Sequence, residues 1–136
     1  MAGVFGMAAA PLSDSYLARL LVRQDFWALS ASVDERIVGG LTAHTLPLTG
    51  AEVSEVFIYD IAVVPDYQRR GIGRQLVSKL RAQANACGIN VVFVAADNED
   101  AHALDFYQAL GGMPAPVTMF TFARTSVECQ LLFPSD

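Results

Sequence analysis

The chain has 136 residues, 53% of them hydrophobic, with 14 acidic against 9 basic side chains. That length suits a single domain over residues 1–136, and the apolar share excludes an intrinsically disordered chain. A formal charge of −5 excludes a general nucleic-acid binder, which needs a net positive footprint.

In chain order, Ser13-Asp14-Ser15 caps a predicted helix over Tyr16–Gln24, with Tyr16, Leu17, Leu20 and Leu21 on one stripe. Phe26–Val33 and Ile37–Thr45 read as the strands of a hairpin turning at Asp34-Glu35-Arg36, with Phe26 and Trp27 in the core. Val53–Val64, rich in β-branched and aromatic residues, is the strongest strand signal. The period then changes. Ile72, Leu76, Leu80, Ala84 and Cys87 fall at helical spacing within Arg70–Cys87, and Gly88 stops that helix. A buried strand over Ile89–Ala96, a helix over Glu99–Leu110, and strands over Val117–Phe122 and Val127–Phe133 complete the order. The strand–helix–strand unit implies a right-handed parallel crossover, hence an α/β or α+β fold with a mixed sheet.

The two cysteines, Cys87 and Cys129, are read as reduced, buried thiols, as suits a reducing compartment. Met1–Ala10 lacks the basic start of a signal peptide, and no apolar run reaches the roughly 20 residues of a membrane span. A cytoplasmic protein without a membrane partner is expected. His44 and His102 lie far apart, and no Cys/His spacing suggests a metal site.

Gln68-Arg69-Arg70-Gly71-Ile72-Gly73 joins the longest strand to the longest helix. Two glycines at a helix start let the backbone approach a ligand closely. The first amides of that helix have no intrahelical acceptor, and with the helix dipole they form an anion site. Five of the nine basic residues, Arg69, Arg70, Arg74, Lys79 and Arg81, cluster here, which suggests a pyrophosphate. Gly73-Arg74-Gln75 is not a Walker loop, and Leu76 stands where a dinucleotide fingerprint needs its third glycine. A plain glycine-rich helix start with solvated arginines remains the alternative on local physics.

This segment resembles the acetyl-coenzyme A signature of the GNAT-type N-acetyltransferases, Q/R-x-x-G-x-G/A. The stretch Ala103-Leu104-Asp105-Phe106-Tyr107-Gln108-Ala109-Leu110-Gly111 is similar to the family's A-x-x-x-Y-x-x-L-G helix. Ile58–Val63, Ala95-Ala96-Asp97 and the stretch from Asp97 to Tyr107 are similar to the aminoglycoside 3-N-acetyltransferases that modify gentamicin and fortimicin. Many relatives carry an Asn seven residues before the helix tyrosine, where this chain has Asp100. The likeness runs from about Tyr16 to Phe122. It implies a mixed, mostly antiparallel sheet with a splayed parallel strand pair, flanked by helices. The family's opening strand is missing from this reading. That leaves an exposed sheet edge for the tail Leu131-Leu132-Phe133 or a second subunit of a homodimer to cover.

The resemblance implies acetyl transfer from acetyl-coenzyme A, without a metal, to an amine of an aminoglycoside, at the 3-amino group. The amides of Arg69, Arg70, Gly71, Ile72, Gly73 and Arg74 would hold the pyrophosphate. Ile61, Ala62 and Val63 would pair with the pantetheine arm, where the family's bulge splays the strand, and an amide near Val63 would polarise the thioester. Asp60, a carboxylate inside the most apolar strand, is the candidate base: burial without a partner suggests a task and would raise its pKa. Tyr107 is the candidate acid near the sulfur. Glu52, Glu55, Tyr59, Asp97 and Asp100 are placed around a cationic substrate. Solvated acidic loops and helix caps are the plainer account of Asp97, Glu99 and Asp100. A polyamine or protein amine as acceptor, or a non-catalytic coenzyme A-binding module, are the competing readings.

Overall fold

The computed structural model describes residues 12–123. Its elements are α1 (Asp14–Leu21), β1 (Phe26–Val33), β2 (Arg36–Pro47), β3 (Ser54–Val63), α2 (Ile72–Ala86), β4 (Val91–Val94) and α3 (Ala101–Ala109). The sheet order is β1-β2-β3-β4; the first two pairings are antiparallel and β3–β4 is parallel. This is the mixed sheet expected from the crossover through α2. Among the described residues no helix is long and apolar enough to cross a membrane.

Local chemistry accounts for the boundaries. The Ser13 side chain accepts the Tyr16 amide at 3.2 Å and starts α1. Asp34 and Glu35 both adopt positive φ, 50° and 66°, the two-residue turn whose twist suits a hairpin. Gly88, at φ +82°, turns the chain out of α2, and the Ile89 amide reaches back to the Ala84 carbonyl at 2.9 Å.

One face of the sheet packs on α2. Leu41, Val38 and Val56 from the strands and Leu80 and Ala84 from α2 are fully buried. Trp27 packs against this core, and its indole N–H donates to Thr45 Oγ1 at 2.8 Å. Phe26 lies on the opposite face beside His44, so only one of the two aromatics expected in the core belongs to it.

Two bulges matter. In the β1–β2 pairing Ala31 faces Gly39 and Ser32 faces Ile37, so Val38 is the extra residue. In β2–β3, Thr42 faces Asp60 and Ala43 faces Ile58, so Tyr59 is extra. The second bulge resets the inside–outside alternation of β3. Val56 and Ile58 are buried, Tyr59 and Asp60 are both exposed, and Ile61 is half-buried.

Two expectations are corrected here, and a third group falls outside the described residues. Val117–Phe122 forms no strand: without a neighbouring strand to accept its hydrogen bonds it has no ladder, and Val117, Phe120 and Phe122 are exposed. Cys87 is exposed at the end of α2, because the stripe that faces the core finishes at Ala84. The expected strand Val127–Phe133, the tail Leu131–Phe133 and Cys129 lie outside the described residues.

Candidate active site

β3 pairs with β4 only from Glu55 to Ile58, opposite Val91 to Val94. At Tyr59 the bulge diverts β3, and β4 leaves the sheet after Val94. Among the described residues, the edge of β3 from Tyr59 to Val63 that faces away from β2 has no strand partner. Ile61, Ala62 and Val63 along this edge are all half-buried. An unpaired edge of this kind accepts an extended amide chain as an added strand.

This edge of β3 runs on toward the start of α2. A one-turn 3₁₀ helix, Pro65–Tyr67, reverses the chain after β3. Gln68 Nε2 donates to the Val63 carbonyl at 2.9 Å and ties the following loop to the strand end. Arg69 sits at φ +63° and Gly71 at φ +80°, so the loop makes two left-handed turns within three residues. The guanidinium of Arg70 lies over the Tyr67 ring at 4.9 Å. Among the described residues, the amides of Arg69, Arg70, Gly71, Ile72, Gly73 and Arg74 donate to no backbone carbonyl; the first helical bond runs from the Gln75 amide to the Gly71 carbonyl at 3.0 Å. This is a row of free donors at the positive end of a 15-residue helix, with Arg69 and Arg74 exposed beside it.

The two glycines have different tasks. A side chain on Gly71 would meet nothing within 4 Å, and only its left-handed φ demands glycine. A Cβ on Gly73 would stand 3.0 Å from Phe106 Cζ. Gly73 therefore admits α3 against the first turn of α2, a packing role in addition to the one read from the motif.

Asp60 does not stand where its apolar neighbours suggested. It is exposed on the sheet face away from α2, so the burial on which its assignment rested is absent. It accepts a hydrogen bond from Thr42 Oγ1 at 3.3 Å, with Tyr59 beside it on the same face. Thr42 was not singled out from sequence; the bulge that aligns it with Asp60 has no local signature.

Tyr107 lies across the sheet from Asp60. It lines a groove of about 610 Å³ with Ile58, Val77, Ser78, Arg81 and Val94, between α2, β4 and α3. Partial burial, and secondarily the charge of Asp100, push its hydroxyl pKa up from 10.0. The hydroxyl is therefore protonated at neutral pH.

Asp97 and Asp100 follow β4 and are exposed. Asp97 Oδ1 accepts the Glu99 amide at 2.9 Å, and Asp100 Oδ1 accepts the Ala103 amide at 3.1 Å as the N-cap of α3. Each has a local structural task, which accounts for an acidic residue at these positions without a ligand. Glu55 is half-buried at the start of β3, and Glu52 is exposed in the loop before it. Among the described residues no cluster of three His, Cys, Asp or Glu side chains is placed to hold a metal ion.

The order of elements and the mixed sheet agree with what comparison with known proteins finds. An aminoglycoside acetyltransferase, meta-AAC0020, from an uncultured soil metagenomic sample and solved with sisomicin, is 32% identical with a TM-score of 0.83, over 91% of this chain and 83% of that one. The aminoglycoside acetyltransferase AAC(6')-Iy shares the fold at 20% identity and a TM-score of 0.76, over 91% of this chain and 86% of that one. The ribosomal protein bS18-alanine N-acetyltransferase of Escherichia coli K12 is 33% identical over 64 residues, and the match covers 47% of this chain and 43% of that protein's length. The acetyltransferase (GNAT) family profile matches residues 6–112, a span that contains the amide cradle, the splayed strand pair and the Tyr107 helix, and the chain belongs to that family.

Proposed function

We propose that the chain transfers an acetyl group from acetyl-coenzyme A to an amine of an aminoglycoside, at the 3-amino group, by direct attack in a ternary complex. The observation that carries the acetyl-coenzyme A part is the row of free amides from Arg69 to Arg74, continuous with the unpaired edge Ile61–Val63. Phosphate oxygens are met by backbone donors and the arginines, and an amide-bearing arm extends along the strand edge. Support for the aminoglycoside comes from the sisomicin-bound neighbour and the resemblance of residues 58–63 and 95–107 to the 3-N-acetylating branch.

The chemistry then divides between the two faces of the sheet. On the open face Asp60 takes a proton from the substrate ammonium, directly or through one water, and the amine lone pair becomes free. A β3 amide near Val63 donates to the thioester oxygen, where negative charge develops. The new C–N bond forms, the C–S bond breaks, and the second proton that the nitrogen sheds on becoming an amide passes to solvent. Tyr107, still protonated, supplies the proton to the departing thiolate and is reprotonated by solvent. Cys87 is no acyl carrier in this scheme: it stands at the far end of α2, about 22 Å from the cradle. Glu55, Tyr59, Asp97 and Asp100 would meet the substrate's cationic groups.

The local similarity to the ribosomal-protein alanine acetyltransferase supports a second reading, a protein α-amine as acceptor. A homodimer would cover an open sheet edge and the exposed segment Val117–Phe122, and the reducing cytoplasm is the proposed location. The test is release of free thiol from acetyl-coenzyme A with aminoglycosides, spermidine and alanine-ended peptides. The account expects turnover of aminoglycosides, reduced about 100-fold or more by Asp60→Asn at neutral pH. Unchanged turnover in that variant refutes the base; turnover of peptides alone refutes the substrate; coenzyme A binding with no thiol release leaves a binding module.

A further inference from the structure

The sheet face away from α2 carries a continuous row of rings. Phe26 on β1 and His44 on β2 have centroids 5.4 Å apart, and His44 meets Tyr59 on β3 edge-on at 5.6 Å. Tyr59 meets Phe57 at 5.9 Å, and Phe57 stacks on Phe93 of β4 at 4.9 Å and 10°. The row crosses all four strands and passes beside the unpaired edge of β3 that starts at Tyr59. Tyr59 is 65% exposed and Phe93 39%. The bulge is what brings Tyr59 into it, by turning two successive residues to this face.

Charge says what fits there. By strand register the described strand residues of this face include two carboxylates, Glu55 and Asp60, and no lysine or arginine; the Arg23 guanidinium near the His44 end is already paired with Asp25 at 2.9 Å. Arg36, the one basic residue in these strands, turns to the other face and lies over Tyr67 at 5.8 Å. Aromatic faces attract cations and the C–H faces of saturated rings, and carboxylates pair with ammonium groups. An acidic ligand is repelled. A linear polyamine uses the carboxylates and leaves the rings in water. A ligand with saturated rings that bear ammonium groups uses both.

We propose that this row is the docking wall for the rings of a polycationic aminocyclitol glycoside, and that His44 and Phe93 set specificity at its two flanks. The rings lie across β2–β4, and the reacting amine reaches Asp60 beside the unpaired edge of β3. The proposal rests on the aminoglycoside reading and adds to it residues that no motif carried.

The test is calorimetric titration of sisomicin into the coenzyme A-saturated full-length chain, which needs no turnover. His44→Ala and Phe93→Ala should each weaken sisomicin about five-fold with coenzyme A affinity unchanged, and His44→Phe should restore the wild-type value because the ring is kept. Circular dichroism confirms that each variant is folded, and His44→Phe keeps the test decisive if His44→Ala is not. Sisomicin binding by the wild type with unchanged affinity in the variants overturns the wall alone. Coenzyme A binding without any sisomicin binding or acetylation overturns the aminoglycoside reading and the wall with it. A mass that doubles in the wild type and falls to the monomer in His44→Ala assigns the row to a second copy and also overturns the proposal.

Discussion

The two motif glycines should fail in different ways when each becomes alanine. At Gly71 the new Cβ meets nothing within 4 Å, so the whole cost is a left-handed φ of +80° in an L-residue, about 1–2 kcal/mol. At Gly73 no positive φ is involved, and alanine gains up to about 1 kcal/mol of helix propensity. Its Cβ, however, stands 3.0 Å from Cζ and 3.1 Å from Cε1 of Phe106, and moving that ring costs about 1–3 kcal/mol. The net loss is roughly 0–2 kcal/mol, similar in size to that at Gly71. The discriminating quantity is coupling to Phe106. In urea unfolding, Gly73→Ala and Phe106→Leu should couple favourably by about 1 kcal/mol, because the smaller side chain makes room. Gly71→Ala and Phe106→Leu should be additive. Additivity at Gly73, or coupling at Gly71, would refute the assignment of one glycine to helix packing and the other to backbone conformation.

Leu80 is fully buried where α2 meets the sheet, and Leu80→Ala should cost about 2–5 kcal/mol in urea unfolding with the slope unchanged. Tyr107 has a folded pKa raised above 10.0, so its contribution to stability is full below pH 10.0 and is lost as pH rises through the folded value. The urea midpoint of the wild type should fall above pH 10.0 more steeply than that of Tyr107→Phe; parallel curves would contradict the burial argument. Sedimentation should show a dimer that Phe120→Asp weakens, since Phe120 is 77% exposed in one chain; a concentration-independent monomer would contradict the covered edge.

Much of this was legible in the sequence because periodicity reports burial. The stripe Ile72, Leu76, Leu80, Ala84 fixes α2 and its face, and Gly71 and Gly88 mark its ends. What stayed hidden depends on pairing across strands. The residues from Val53 to Val64 read as an unbroken apolar strand, so Asp60 was expected inside. The extra residue at Tyr59 reverses which side chains face α2, and register is a property of two strands together. The same shift concealed Thr42 as the partner of Asp60 and assembled His44, Tyr59 and Phe57 into one row. Val117–Phe122 has the composition of a strand, but composition does not supply a neighbour to pair with. Phe106 explains Gly73 only after α3 has been folded against α2.

The central claim is that main-chain amides at the start of α2 grip a diphosphate. Amide chemical shifts followed by NMR during titration with coenzyme A test it most directly. The account predicts the largest changes at Arg69 through Arg74, reproduced in part by inorganic pyrophosphate and weakened by salt. Saturable coenzyme A binding that leaves those six amides unmoved while shifting others would contradict it.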